Sequence, residues 1–274
     1  MQESLRRRLE ALNRDRVDGA PAPPPRPVVR DAPLLPATAT GLLSTGVVES
    51  TPAGEHLSIV VPLGDLWPGG ERLVDARRQF LMELDDLAEP FPAWLSAFPA
   101  RSVLLDLETC GLGGAALFLV GLLREVDHRL VVELLLARNY AEEAAVLHSL
   151  WRRLEGAEAL VTYNGKSFDW PTVLDRSRRH LLHKSHALAC PALHLDVLHP
   201  ARRKWKNLLP DCRLLTLESR VCRRRRALDI PGARIPAAYD AYVRTGRAEE
   251  MEQILHHNAL DLVTLLDVTL RVAA

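Results

Sequence analysis

No run of about 18 consecutive apolar residues occurs anywhere in the 274-residue chain, which excludes an ordinary membrane-spanning helix. The opening stretch, MQESLRRRLEALNRDR, is charged and lacks the apolar segment of a secretory signal. Cysteine is scarce: Cys110, Cys190, Cys212 and Cys222 form neither a CxxC pair nor a dense framework. These absences lead to the expectation of a reducing, cytoplasmic setting. Net charge is missing as well, since 35 Lys and Arg balance 35 Asp and Glu, and this at first speaks against a polyanionic partner. What is present is ordinary. With 47% hydrophobic and 26% charged residues the chain can bury a core, so wholesale disorder is excluded.

Along the chain, residues 1–20 read as a short charged helix, with Leu5, Leu9 and Leu12 at helical spacing. Residues 21–40 read as a linker, because seven of the 19 prolines fall between Pro21 and Pro36 and supply no backbone donors. Residues 41–100 read as a small β/α extension, with clusters such as Leu57, Ile59, Val60 and Val61 before a helix near 73–87. The main domain is expected over 101–274. Three apolar strands, at 102–108, 115–124 and 129–137, are joined closely enough for an antiparallel meander. A helix over 141–154 follows, then a strand at 159–163, a helix at 169–180, a strand at 194–198 and a long amphipathic helix at 249–272. That order predicts an α/β fold of ribonuclease-H-like type, a mixed sheet in which the meander is extended by parallel strands and flanked by helices.

Three motifs carry the chemistry. Asp106 and Glu108 lie two apart on one strand, so both point to the same face. Two acids on an otherwise apolar strand need either a cation, or solvent or an arginine, to compensate them. The second motif, Tyr163-Asn164-Gly165-Lys166-Ser167-Phe168-Asp169-Trp170-Pro171, ends a strand and opens a helix at Asp169. An Asp there has a plain capping explanation, but Asn164 and Lys166 beside it are polar and cationic, and Phe168 and Trp170 offer faces on which bases stack. The third is His256-His257-Asn258-Ala259-Leu260-Asp261 inside the C-terminal helix. Only His257, four before Asp261, shares its face in a regular helix, whereas His256 points away. Three or four convergent carboxylates suit Mg²⁺ or Mn²⁺, two such ions can stabilise both oxygens of a phosphodiester displacement, and an imidazole can take a proton from the attacking water.

These motifs resemble those of the DEDD 3′–5′ exonucleases. The chain is similar, more closely, to the YprB-like branch of ribonuclease-H-fold proteins, through Glu108-Thr109-Cys110-Gly111-Leu112, the FLVGL strand at 118–122, the 163–171 motif and HNxxD. HLDVLHPARRKW at 194–205 and the LTLE, DIPG and IP-x2-Y stretches at 215–218, 229–232 and 235–239 extend the match over roughly residues 100–270. The resemblance implies a hydrolase acting on phosphodiester bonds of DNA or RNA. In it Asp106, Glu108, Asp169 and Asp261 would bind two divalent ions, Mg²⁺ or Mn²⁺. One subgroup places its general base five residues before the last Asp, which His256 matches, and the YprB-like branch places a histidine four before, which is His257. The branch commonly carries a Gly/Thr-rich stretch after its ETTGL element. Here Cys110 replaces a Thr and the stretch shortens to GGAALF at 113–118.

The zero net charge hides a segregation. Between Arg176 and Arg226 fourteen basic residues face only Asp196, Asp211 and Glu218, a local excess of eleven. Such a segment beside an acidic site is expected to track phosphates of a nucleic acid, single-stranded ends above all. Arg202, Arg203 and Lys204 would contact the backbone and Trp205 would stack on a base, together with Thr109, Asn164, Lys166, Phe168 and Trp170 from the first two motifs. Asp196 is a candidate auxiliary carboxylate. His180, His183, His186, Cys190, His194 and His199 fit no strong zinc spacing and read as incidental. The rival reading is a nucleic-acid-binding or scaffold protein that keeps the fold without turnover.

Overall fold

The computed structural model describes residues 41–111, 115–226 and 229–274. The expected helix at 1–20, the linker at 21–40 and the glycines Gly113 and Gly114 lie outside them. In chain order come α1 (Leu42–Thr45), β1 (Val47–Thr51), β2 (Gly54–Pro62), α2 (Leu63–Leu66), α3 (Gly70–Met82), α4 (Phe91–Ala97), β3 (Ser102–Thr109), β4 (Leu117–Val126), β5 (Arg129–Leu136) and α5 (Glu143–Leu154). There follow β6 (Ala159–Thr162), α6 (Asp169–Arg179), β7 (Leu193–Asp196), α7 (Leu198–Trp205), α8 (Leu214–Arg220), α9 (Ile235–Thr245) and α10 (Glu249–Ala273). No helix among the described residues is long and apolar enough to cross a membrane.

The strands form a seven-stranded mixed sheet of order β1-β2-β5-β4-β3-β6-β7. The β3–β4–β5 meander is antiparallel as expected, and Asp127 and His128 turn its second corner with positive φ at both positions, the geometry of a two-residue hairpin. β6 and β7 join in parallel. The segment expected as a separate extension contributes to the same sheet: β2 pairs antiparallel with β5, Leu57 opposite Leu136 through Pro62 opposite Val131. Its alternating burial, with Leu57, Ile59 and Val61 inward, fits one strand face on the core.

Side chains on β4 and β5 show which helix covers which face. Gly121 faces Asn258 and Leu262 of α10, whereas Glu133, paired with Leu122, reaches Arg153 of α5. Helices therefore cover both faces, and the strands between them are almost continuously apolar. Helix α10 carries Ile254, Leu255, Leu262 and Leu266 into the core, all fully buried, and packs on β3, β4 and β5. Asp106 pairs with Gly121, so it and Glu108 present to the α10 face.

Most basic residues of the segment 176–226 are exposed, but Arg176, Arg224 and Arg226 turn into the fold as ties and do not belong to a phosphate-tracking surface. Arg176 pairs with buried Glu143 and Arg179 with Asp175. In the irregular run Arg223–Arg226 the side chains alternate: Arg223 and Arg225 face solvent, while Arg224 and Arg226 turn inward. Arg224 lies over the Trp67 ring, 4.5 Å from its centroid, and bonds Asp267 at 2.6 Å. Asp267, fully buried on α10, also pairs with Arg77 of α3 and Arg271. Burial would raise its carboxyl, but the three guanidinium groups hold it below the usual range. Removing it leaves Arg224 buried without a counter-charge, so Asp267→Ala is expected to cost about 3–5 kcal/mol. Chemical denaturation measures this, and a loss below about 1 kcal/mol would mean that Arg224 escapes to water.

Candidate active site

The parallel pairing of β3 with β6 runs from Ser102 opposite Ala159 to Leu104 opposite Val161 and then stops. Beyond it the end of β3 is open on that side, and Asp106 and Glu108 sit on this stretch. The turn after β6 brings Asp169, the first residue of α6, to the same place. Its geometry is fixed by Asp196 at the end of β7, whose carboxylate accepts from the backbone amides of Asn164 at 2.8 Å, Lys166 at 3.1 Å and Leu198 at 3.1 Å. Asp196 is thus the anchor of the turn, and its carboxylate is spent on amides. Asn164 takes the left-handed conformation, φ 65°, and a Cβ on Gly165 would lie 2.4 Å from Thr162 Cβ.

Helix α10 supplies the remaining groups. Asn258, fully buried, donates from Nδ2 to Asp106 Oδ2 at 2.8 Å. Gly121 makes room for it, since a Cβ there would stand 1.8 Å from Asn258 Oδ1. His257 Nε2 lies 3.4 Å from Asp261 Oδ2 and 3.9 Å from Glu108 Oε1, while Nδ1 lies 2.6 Å from Asp229 Oδ1. His256 is buried in the core, 3% exposed. Arg226, its side chain 3% exposed, pairs with Asp261 and with Glu218 at 2.8 Å; Glu218 in turn accepts from Thr264 Oγ1 at 2.7 Å.

Four carboxylates and one imidazole therefore meet against one inward guanidinium. Burial, with the fields of Asp261, Glu108 and Asp169 added, pushes the Asp106 carboxyl well above the ordinary range. Burial raises Glu108 to about 8, against the attraction of His257 and with Asp261 and Asp169 adding to the shift. Asp169 is raised to about 7 by burial, although its own amide and that of Leu107 favour the ionised form. Burial would lower His257, but Asp261, the Asp229 hydrogen bond and Glu108 outweigh it and carry the imidazole to about 9. An all-oxygen set short of positive charge is chemistry that suits a hard divalent cation. Among the described residues no three of these side chains already stand as a chelating group, since Asp261 is turned onto Arg226 and Asp106 onto Asn258.

Other expected contacts divide. Asn164 and Lys166 are exposed, Phe168 and Thr109 half-buried, with Thr109 Oγ1 donating to the Gly111 carbonyl at 2.7 Å. Trp170 does not offer a face to bases: it is 9% exposed and packs edge-on against Trp151, centroids 5.5 Å apart. Trp205 is likewise 9% exposed, because its position is on the inner face of α7. Lys204 donates to the carbonyls of Arg271 at 2.9 Å and Ala274 at 2.7 Å, tying down the end of α10 some ten residues, roughly 15 Å, beyond Asp261. Arg202 and Arg203 remain exposed. His180 bonds Glu143 and His194 bonds Thr162, each at 2.9 Å, so these two serve the scaffold. Sequence reasoning missed Asn258, Arg226, Glu218, Asp229 and Gly121 as parts of the site. An isolated Gly within an apolar strand was the available signal for the last.

A family model described as RNase_H superfamily matches residues 103–272, well over half of the chain. The chain belongs to that family. Among relatives, this RNase H superfamily chain is 35% identical over 167 residues to "Uncharacterized protein YprB" of Bacillus subtilis (strain 168), in agreement with the YprB-like resemblance of its motifs. The match takes in 60% of this chain and 40% of that protein, so the chain spans well under half of its relative. Among solved structures it is similar to the family B DNA polymerase of the hyperthermophilic archaeon Pyrobaculum calidifontis, at 14% identity and a TM-score of 0.47, over 62% of this chain and 24% of that one.

The raised groups set a pH dependence. In chelator-treated protein Asp106, Glu108 and Asp169 keep their protons to higher pH when folded than when unfolded, where carboxyls titrate near about 4. His257 adds stability below its unfolded value, lost as pH rises through about 9. These four groups thus bind more protons in the folded chain throughout this window, and their contribution to stability falls as pH rises, opposed below about pH 6.5 by His56, His148 and His194, which burial pushes down. The thermal midpoint under chelator is expected to drop by several degrees between about pH 5.5 and 8.5, with a shallower slope in Glu108→Gln. A midpoint that rises over this range, or a slope unchanged by the substitution, would contradict the clustering.

Proposed function

We propose that this chain is a metal-dependent 3′–5′ exonuclease that hydrolyses phosphodiester bonds of DNA or RNA. The observation that carries the reading is the meeting of Asp106, Glu108, Asp169 and Asp261, from three separate elements, with His257 among them and Arg226 turned inward against their charge. A purely binding module has no use for such a group, whose accumulated negative charge would repel a phosphate. Membership of the RNase H superfamily supports the reading, and the order of the motifs resembles that of the DEDD exonucleases.

The four carboxylates would hold two divalent ions, Mg²⁺ or Mn²⁺, which when bound supply charge neutralisation for the attacking and leaving oxygens. With the charge of Asp261 and Glu108 offset by the ions, the field that holds the His257 imidazole protonated would be relieved, and Nε2 would accept a proton from the attacking water. The water oxygen forms a bond to phosphorus, the bond from phosphorus to the 3′ oxygen of the preceding nucleotide breaks, and a 5′-mononucleotide leaves. Asn258 holds Asp106 by one oxygen and so leaves the other free to ligate. Lys166, Asn164 and the exposed Arg202, Arg203, Arg223 and Arg225 are the groups available to the phosphates of a single-stranded end.

The test is an assay on 3′- and 5′-labelled single- and double-stranded DNA and RNA, with Mg²⁺, Mn²⁺ or chelator. Mononucleotides are expected to appear from the 3′ end only when a divalent ion is present. Asp106→Ala and Asp261→Ala are each expected to reduce turnover on the order of 10³-fold. Turnover that survives chelator and both substitutions would remove the assigned site, and a protein that binds strands yet never cuts them would be a scaffold. Gly121→Ala, which drives Asn258 off Asp106, is expected to weaken Mn²⁺ binding roughly 10–100-fold by calorimetry. Unchanged affinity would show that Asp106 needs no such support.

A further inference from the structure

We infer that Asp229 is the positioning residue for His257: it holds the Nδ1–H of the imidazole and thereby presents Nε2 to the acids as the proton acceptor. The inference rests on the reading of His257 as the base in the proposed reaction.

The two ring nitrogens face different surroundings. Nε2 looks toward Asp261 and Glu108, at 3.4 and 3.9 Å, whereas Nδ1 is 2.6 Å from Asp229 Oδ1. At that separation a carboxylate oxygen and a bare ring nitrogen would oppose lone pairs, so a hydrogen must lie between them, and the carboxylate has none to give. The one competing contact is Arg226 Nη1, which lies 3.3 Å from Nδ1 and also 3.6 Å from Asp229 Oδ1. That contact is 0.7 Å longer than the one to Asp229, and the same guanidinium nitrogen has the His257 carbonyl as another acceptor at 3.5 Å. Nδ1 therefore carries the hydrogen, and the hydrogen bond at one nitrogen sets which form the other takes.

Asp229 is also held firmly enough to orient a ring. Ile230, next in the chain, is buried in the core, and Pro231 leads into a turn at Gly232–Arg234. Asp229 is 28 residues before His257, so no periodicity links them. Their partnership becomes visible only when the chain after α8 crosses the start of α10's polar insert. In the reaction the water proton moves to Nε2 while Asp229 keeps its ionised form and balances the imidazolium that results; no proton passes to Asp229.

The experiment compares Asp229→Asn, Asp229→Ala, His257→Ala and Asp229→Asn/His257→Ala on a 3′-labelled single-stranded oligodeoxynucleotide with Mn²⁺. Asp229→Asn is expected to lower kcat on the order of 10²–10⁴-fold with KM little changed. The double variant is expected to be no slower than His257→Ala alone, because Asp229 acts only through that ring. Nitrogen-15 spectra of histidine-labelled protein, taken at alkaline pH so that the ring is neutral, are expected to show His257 protonated at Nδ1, and this signature to be lost in Asp229→Ala. Should Asp229→Ala fail to fold, the isosteric Asp229→Asn serves in its place. Full activity in Asp229→Asn, independent losses in the double variant, or a bare Nδ1 in the wild-type spectrum would each overturn the inference. If the wild type cuts no strand, the exonuclease reading fails and takes the kinetic arm with it, while the spectra still decide whether Asp229 fixes the tautomer.

Discussion

Like charges brought together out of water must be compensated, and most of the particular features around the end of β3 answer that demand. Asp106, Glu108, Asp169 and Asp261 arrive from β3, α6 and α10, and each meets something that limits the repulsion. An amide from Asn258 reaches Asp106, backbone amides face Asp169, the guanidinium of Arg226 reaches Asp261, and His257 stands between Asp261 and Glu108. The supports are themselves supported. Glu218 and Thr264 hold Arg226, and Gly121 gives Asn258 its space. Even so, three of the four acids stay shifted toward neutrality. Proton uptake is the compensation this set of residues can reach unaided, and a divalent cation is the one for which an all-oxygen set is suited.

The same argument explains why several arginines turn inward while most basic residues stay exposed. Buried carboxylates elsewhere in the sheet and its helices, Glu133, Glu143, Glu218 and Asp267, each take an arginine inward. At these positions charge balance is internal, and arginine is used as a cross-link between elements distant in sequence. Glu133 and Arg153 join β5 to α5, and Asp267 joins α10 to α3 and to the stretch before Arg226. The fork of a guanidinium suits it to such bidentate ties.

Much of the fold was legible because periodicity and turn chemistry agree with it. The meander, its tight turn, α5 and the long α10 all follow from patterns within a dozen residues or so. The membership of β1 and β2 in the same sheet was not, because β2 pairs with β5 across 69 to 79 residues and no local pattern records a partner. The carboxylates and His257 were readable from spacing on a strand and on a helix, which place side chains on a face. Trp170, Trp205 and Lys204 misled for one reason: residue type speaks to what a side chain can do, while burial decides whether it does it. Asp229 and Arg226 lie in an irregular stretch, where no period exists to say which way a side chain points.

β3 and β6 are parallel neighbours, so the segments that leave them, after Thr109 and after Thr162, depart from the same end of the sheet side by side. β6 is paired on both sides, whereas β3 beyond Leu104 pairs with β4 alone. The exit after Thr162 is held by Asp196 and leads into Asp169, so a change of length there would move a site carboxylate, whereas one in the segment after Thr109 would alter the rim of the acidic site while the ladder beneath stayed in register. Reach toward a ligand can drift in evolution without any change to the core.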